Sequence, residues 1–301
     1  PCRLSVLSGL VGNTIPSSRA GPNPVCDAYG MNLAAAQLKD DDGNRNRHDL
    51  VKWATLEGLR GMGMGAKTEL YNEFASVLSP LAQASMASAG QRANNGLTPD
   101  FLLEGPPPEL GEMKAITYSV TRYLTHPPVD INRPEARQYA VTKRANLIQG
   151  EYIGKARRAD QRHANTVAGQ VGHVQAKLAQ YGAIRPLVFG SFAELNKEFE
   201  ELIVKAAHIG ARRSWRYMHV LSEDNAVGVL LWHLRRRIGG AAVRANAASL
   251  LGRVPFAAGG STNPVAAHAR RAQAQRQYHR RCDLSTRLPR PLTIASGLSL
   301  I

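Results

Sequence analysis

A phosphodiester bond is hydrolysed when an activated water attacks it while cations absorb the charge that builds on the phosphate. Two carboxylates that hold a divalent cation, with a lysine beside the water, supply the protein's share of that chemistry. Asp100, Glu112 and Lys114 are such a set. Glu112 and Lys114 stand two apart on an expected strand at 111–118, so their side chains leave the same face. Met113 and Ala115 leave the other face, toward a helix. Asp100 opens a shorter expected strand at 100–105, and hairpin-like pairing of the two strands brings it beside Glu112. Carboxylates that close repel each other unless a cation lies between them. Oxygen ligands of this kind suit Mg²⁺ or Mn²⁺, which bind through one or two carboxylates and keep sites for water and phosphate. Lys114 would then position the nucleophile or stabilise the transition state.

The flanking sequence must build the frame for these residues. A helix is expected from about His48 to Gly61, with Leu50, Val51, Trp53, Ala54, Leu56 and Leu59 on a broad apolar side and closely set glycines ending it. A strand is expected over 66–74, and the Ala-, Ser-, Gln- and Gly-rich stretch 79–96 reads as a loop or insertion. The triple proline at 106–108 separates the two strands that carry the acids. Pro134 suits the first turn of a helix, and Val141, Ala145, Ile148, Tyr152, Ala156 and Ala159 step along one face of it. The run 184–192 is apolar nearly throughout, as a strand covered on both faces would be. A helix over 196–207 follows, with Phe199, Leu202, Ile203, Ala206 and Ala207 on its inner side. Val227, Leu230, Leu231 and Leu234 stripe a further helix, which Gly239-Gly240 is expected to break. The domain reading is an irregular segment 1–44, an α/β core 45–207, a helical basic part 208–258 and a basic, disordered tail 259–301.

Charge points to the partner. The chain of 301 residues carries 38 Lys and Arg against 23 Asp and Glu, a net of +15. From Glu201 onward there are 16 basic and 4 acidic residues, so the last third holds most of the excess. A polyanion is the expected partner, DNA first and RNA second, because phosphates spaced along a backbone reward many separate cations. Arg235-Arg236-Arg237 reads as a phosphate contact or a nuclear-import patch. Three cysteines cannot form a disulfide framework, which points to a reducing, intracellular compartment, and the arginine run adds the nucleus as an expectation. No run is apolar enough for a membrane helix, so no membrane partner is expected. No phosphate-binding loop and no serine-hydrolase elbow is present.

Pro99-Asp100, an eleven-residue gap, and then Glu112-Met113-Lys114 resemble the signature of the PD-(D/E)XK, or restriction-like, endonuclease superfamily. The resemblance implies a fold of order α-β-β-β-α-β, a mixed central sheet flanked by helices, and the expected order from His48 to Phe192 matches it. It implies metal binding by Asp100 and Glu112 and assistance to hydrolysis by Lys114. Many members add a glutamate on the first helix, for which Glu57 is the candidate and Glu69 the rival. A basic residue on the helix after the lysine strand often touches DNA, which implicates Lys143 or Arg144.

A narrower resemblance joins Cys26-Asp27-Ala28-Tyr29-Gly30 to Arg47-His48-Asp49 at a helix start. It is similar to the endonuclease region of non-LTR retrotransposon polyproteins, which implies a mobile-element origin. The chain departs from that pattern: the second and third cysteines are missing, and Met31-Asn32-Leu33 stands where the family has an acid and a histidine. Cys26 and His48 alone cannot close a four-ligand zinc site, so none is expected. His48, between Arg47 and Asp49, is a catalytic candidate, but it reads first as a helix N-terminal residue beside a favourably placed Asp49. The expectation is a divalent-metal-dependent DNA endonuclease. The alternative is a catalytically inactive nucleic-acid-binding protein with the same fold.

Overall fold

The computed structural model describes residues 10–15, 25–35, 43–68, 70, 73–88, 97–118 and 132–257. The expected tail 259–301, Glu69 and residues 89–96 lie outside them. The described chain is an α/β protein with seven α-helices and one four-stranded mixed sheet. The helices are α1 (Met31–Ala35), α2 (Gly43–Gly61), α3 (Pro80–Ser88), α4 (Pro134–His163), α5 (His173–Gln180), α6 (Lys197–Ser214) and α7 (Glu223–Ala257). The strands are β1 (Ala66–Thr68), β2 (Phe101–Leu103), β3 (Glu109–Ala115) and β4 (Arg185–Phe189), lying side by side in that order. β1 and β2 are antiparallel, as are β2 and β3, while β3 and β4 run parallel.

Two apolar clusters cover the two faces of the sheet. Leu110 and Val188 point into one, beside Val141, Ala145, Ile148 and Tyr152 of α4. Phe101, Met113, Leu187 and Phe189 point into the other, beside Val51 and Leu59 of α2, Phe199 and Leu202 of α6, and Leu234 and Ile238 of α7. The period-two alternation along β3 therefore sends Glu112 and Lys114 toward the α4 layer and Met113 toward the α2 layer.

Several elements differ from the sequence reading, each for a physical reason. The first helix begins at Gly43, so His48 lies in its second turn. Trp53, read as apolar core, is 46% exposed, because α2 turns Val51, Leu56 and Leu59 inward instead. Of the expected strand 66–74, the described residues place Ala66–Thr68 in the sheet, while Phe74 is taken by the core below α5. Residues 80–88 form α3, because its alanines and Leu81 carry good helix propensity without a marked stripe. Helix α5 went unnoticed in the sequence. Gly239-Gly240 does not break α7, which runs on to Ala257. Two interior glycines cost roughly 1 kcal/mol each relative to alanine. Burial of Ile238, Ala241 and Ala242 on either side outweighs that cost, and a Cβ at Gly239 would meet Ala193 at 3.2 Å. The helical basic part packs its Leu234, Ile238 and Ala242 into the same cluster as α2 and α6.

Two buried polar side chains fix the framework. Asp160, at the buried end of α4, accepts the N–H groups of Val174 and Gln175 at 2.9 and 3.0 Å and so caps α5. Asn196 is fully buried and closes the free edge of β4. Its Oδ1 accepts the Val188 N–H at 2.7 Å and its Nδ2 donates to the Pro186 carbonyl at 2.9 Å. Pro186 is tolerated because β4 is an edge strand.

Helix α5 docks through Glu73, which receives Lys177 at 2.9 Å and the Tyr181 hydroxyl. The Tyr181 and Lys177 hydrogen bonds hold the Glu73 carboxyl below its ordinary value of 4.5, whereas burial, then Glu73, pushes Tyr181 up to about 12. A lowered carboxyl contributes stability that is complete above pH 4.5 and fades as pH falls through the folded value. A raised phenol contributes stability that is complete below its ordinary 10.0 and fades as pH climbs toward about 12. Glu73→Gln should lower stability by about 1–2 kcal/mol at pH 7. It should also flatten the acid limb of a melting-temperature profile below pH 4.5. An acid limb as steep as wild type would exclude this role for Glu73.

Candidate active site

The site forms where β2 begins and β3 runs past it. The β2–β3 ladder starts at Phe101 opposite Gly111, so the Met113 N–H has no strand partner on that side. The Asp100 carboxylate takes it, Oδ2 accepting at 2.9 Å. That bond fixes Asp100 beside β3. His48 of α2 approaches the same oxygen, Nε2 to Oδ2 at 3.2 Å, and lies 3.2 Å from the Met113 carbonyl. Its Nδ1 is 3.0 Å from Asp49 Oδ1. On the opposite face, Tyr152 of α4 donates its hydroxyl to Glu112 Oε2 at 2.6 Å, and Lys114 donates to Glu112 Oε1.

Burial sets the electrostatics. Glu112 is 4% exposed. Desolvation, then the Asp100 charge, pushes its carboxyl above the usual range, against the pull of Lys114 and Tyr152. Burial also opposes the charge on Asp100, but His48 outweighs it and holds that carboxyl low. For His48 the loss of solvent disfavours the imidazolium, yet its hydrogen bonds to Asp100 and Asp49 win and lift it to about 9. His48 is therefore a cation at neutral pH. Burial depresses the Lys155 ammonium, which feels both Glu112 and Lys114 and lies 4.8 Å from the centre of the Tyr152 ring. Lys114, Lys155 and His48 thus surround two carboxylates, an arrangement that accepts an incoming anion.

Among the described residues, no three or more His, Cys, Asp and Glu side chains gather as a ready-made metal cage. Mg²⁺ does not need one, since one or two carboxylates with waters suffice. The donors present fit such an ion. They are hard oxygens, Asp100 Oδ1 has no hydrogen-bond partner among the described residues, and Glu112 is a buried carboxylate whose negative form lacks full compensation.

The structure brings Asp100, Glu112 and Lys114 together and leaves other candidates elsewhere. Glu57 sits on the outer side of α2, half exposed and paired with Arg237 of α7, so it does not join the acids. Arg144 is held by both oxygens of Glu151 at 2.8 and 2.9 Å. Arg235 pairs with Glu200 at 3.2 Å. Lys143 is half-buried on α4, and Arg236 is exposed over the Trp232 ring at 5.0 Å; neither makes an ion pair among the described residues. Three further side chains join the site. In the sequence His48 reads as a helix N-terminal residue ahead of a catalytic one, Tyr152 only as a member of an apolar stripe, and Lys155 only as one of a row of basic residues. The Arg47-His48-Asp49 triplet was the available signal for the first; nothing local marks the other two.

Cys26 is buried with its thiol raised by desolvation and then by Asp27, and forms no metal cluster among the described residues. Asp27 instead accepts the Tyr29, Met31 and Asn32 N–H groups and starts the short α1. No described helix is long and apolar enough to cross a membrane. No family model, no curated protein and no solved structure matches this chain.

Proposed function

We propose that this chain is a divalent-metal-dependent DNA endonuclease built on the PD-(D/E)XK fold. The meeting of Asp100, Glu112 and Lys114 in one buried site carries the reading. The element order supports it: helix α2, the antiparallel run β1–β3, helix α4, then β4 parallel to β3. Here α3 and α5 are additions to the expected order. A mobile-element origin would rest on the Cys26-Asp27-Ala28-Tyr29-Gly30 run together with the Arg47-His48-Asp49 triplet, whose histidine turns toward Asp100.

Asp100 and Glu112 would hold Mg²⁺ or Mn²⁺, and such an ion lowers the pKa of a bound water and offsets charge on the phosphate. The chain's own groups do the rest. His48 and the Met113 amide orient Asp100 and keep it ionised. Tyr152 fixes the rotamer of Glu112. Lys114 and Lys155 present cations to a phosphate, where removal of such a group costs roughly a hundredfold in rate. The alternative, an inactive nucleic-acid-binding protein, differs only in outcome.

Plasmid nicking by purified protein in Mg²⁺, Mn²⁺ and EDTA tests the proposal. Nicking in either metal and none in EDTA is the expected result. A salt-sensitive gel shift with no nicking in any metal would leave the inactive binding protein.

The Tyr152 hydroxyl stabilises the charged form of Glu112. Tyr152→Phe should therefore lower the rate about tenfold, as loss of a hydrogen bond to a charged group does. The acid limb of its pH–rate profile should move to higher pH, because Glu112 then holds its proton more tightly. A drop in rate with no movement of that limb would assign Tyr152 a packing role only.

A further inference from the structure

Helix α7 is apolar on more than its buried side. Leu234, Ile238 and Ala242 face the core, while Val229, Trp232 and Val243 face solvent, with Trp232 53% exposed. Val229, Trp232, Arg236 and Val243 fall on one side of the helix at spacings of three, seven and fourteen residues from the first. The stripe runs about 21 Å along the axis. An apolar outer face on a helix marks a surface that something covers. Charge says what. Glu200 takes Arg235 and Glu57 takes Arg237, but Arg236 beside Trp232 and the exposed Arg244 next to Val243 make no ion pair among the described residues, and the acids of α7 itself, Glu223 and Asp224, lie in its first turn, away from the stripe. The Arg236 guanidinium lies 5.0 Å from the Trp232 ring centre, and Arg216 lies 5.5 Å from that of Trp215.

We infer that the outer face of α7, centred on Trp232 and Arg236, binds single-stranded nucleic acid by stacking an unpaired base on the indole while the arginines meet its phosphates. A duplex hides its base faces, so it would use the arginines and leave Trp232 idle. A single strand uses both, because every base has a π-face that an aromatic ring can cover. The indole is already exposed, so stacking needs no unfolding of α7. This inference shares the nucleic-acid partner of the proposed function but not its chemistry, and metal-free binding tests it apart from cleavage.

The experiment is fluorescence anisotropy in EDTA with labelled oligo(dT) of about 12 nucleotides, a length within the usual range of such sites. A duplex of the same length is run beside it. Trp232→Ala should weaken single-strand binding roughly tenfold and leave duplex binding and the salt slope as in wild type. Trp232→Phe, which keeps a ring, should recover most of the affinity. Trp232→Lys adds a positive charge while removing the ring, and should still weaken single-strand binding. Wild-type affinity in Trp232→Ala, or tighter binding in Trp232→Lys, would overturn the stacking site and leave simple charge attraction. Loss of nicking in the unmodified chain would overturn the endonuclease reading without touching this one.

Discussion

Glu112→Gln should reduce metal-dependent nicking by roughly a hundredfold or more while the protein becomes no less stable. The substitution keeps the size of the side chain and an oxygen for the Tyr152 hydroxyl, and removes the negative charge together with the acceptor of Lys114, whose partly exposed ammonium can turn to solvent. That charge is what a divalent cation requires, and loss of one preorganised electrostatic partner in a water-poor site costs roughly 10²–10³ in rate. The same charge is costly to the fold, because burial and Asp100 both disfavour it. Activity and melting temperature should therefore move apart, the first collapsing and the second holding or rising. Asp100→Asn should lose as much activity, but with some loss of stability, since it discards the ionic partner of His48. Lys114→Ala should cost a similar factor and let the Glu112 carboxyl rise further, so its residual rate should climb with pH. Gel shifts in EDTA should stay near wild type for all three. A Glu112→Gln or Asp100→Asn protein that nicks at the wild-type rate would remove both residues from the reaction.

Asn196→Ala should be among the most destabilising single changes outside the apolar core. The side chain is the edge partner of β4, satisfying one N–H and one C=O of that strand. Alanine leaves both backbone groups buried and unpaired, at about 1–3 kcal/mol each. A loss of about 3 kcal/mol would lower the melting temperature of a chain this size by about 5 °C. Asn196→Asp should not rescue it, because a carboxylate cannot donate to the Pro186 carbonyl and would sit beside Glu198. The register gives the change a second consequence. Pro186 and Val188, the residues Asn196 holds, lie opposite Glu112 and Lys114 on β3. The variant should therefore lose nicking activity at temperatures well below its own melting point. A melting temperature unchanged from wild type would show that water or a backbone shift replaces the amide.

The parts of this fold legible in the sequence are those whose signal is local. Phe199 to Ala207 repeat at helical spacing and all five apolar positions are buried. The stripe from Val141 to Ala156 is the buried side of α4, with its next buried position falling on Asp160 instead of the expected Ala159. Glu112 and Lys114 share a face because a strand alternates. What stayed hidden depends on tertiary partners. His48 is a site neighbour because Asp100, just past the end of the ladder, turns its carboxylate to the Met113 N–H, which no spacing along α2 reveals. Tyr152 carries an apolar ring in a stripe and a hydroxyl that reaches Glu112, and only the second matters to the site. Glu57 looked suitable by position alone, yet the helical phase of α2 turns it to Arg237. Gly239-Gly240 carries a local stop signal that the packing of α7 on α2 and α6 overrides.

Arg253 is 2% exposed, and its guanidinium donates to the carbonyls of Leu33, at 3.0 Å, and Ala34. Those partners stand 220 and 219 residues apart along the chain. During synthesis the two carbonyls leave the ribosome long before their donor exists, roughly 10–45 seconds at ordinary elongation rates. The segment around α1 must wait in water for that interval, with its end-of-helix acceptors bonded to water and its Met31 and Leu33 lacking the helix that closes over them. The segment around α1 is thus locked only by a helix made some 220 residues later, and α7 acts as its clasp.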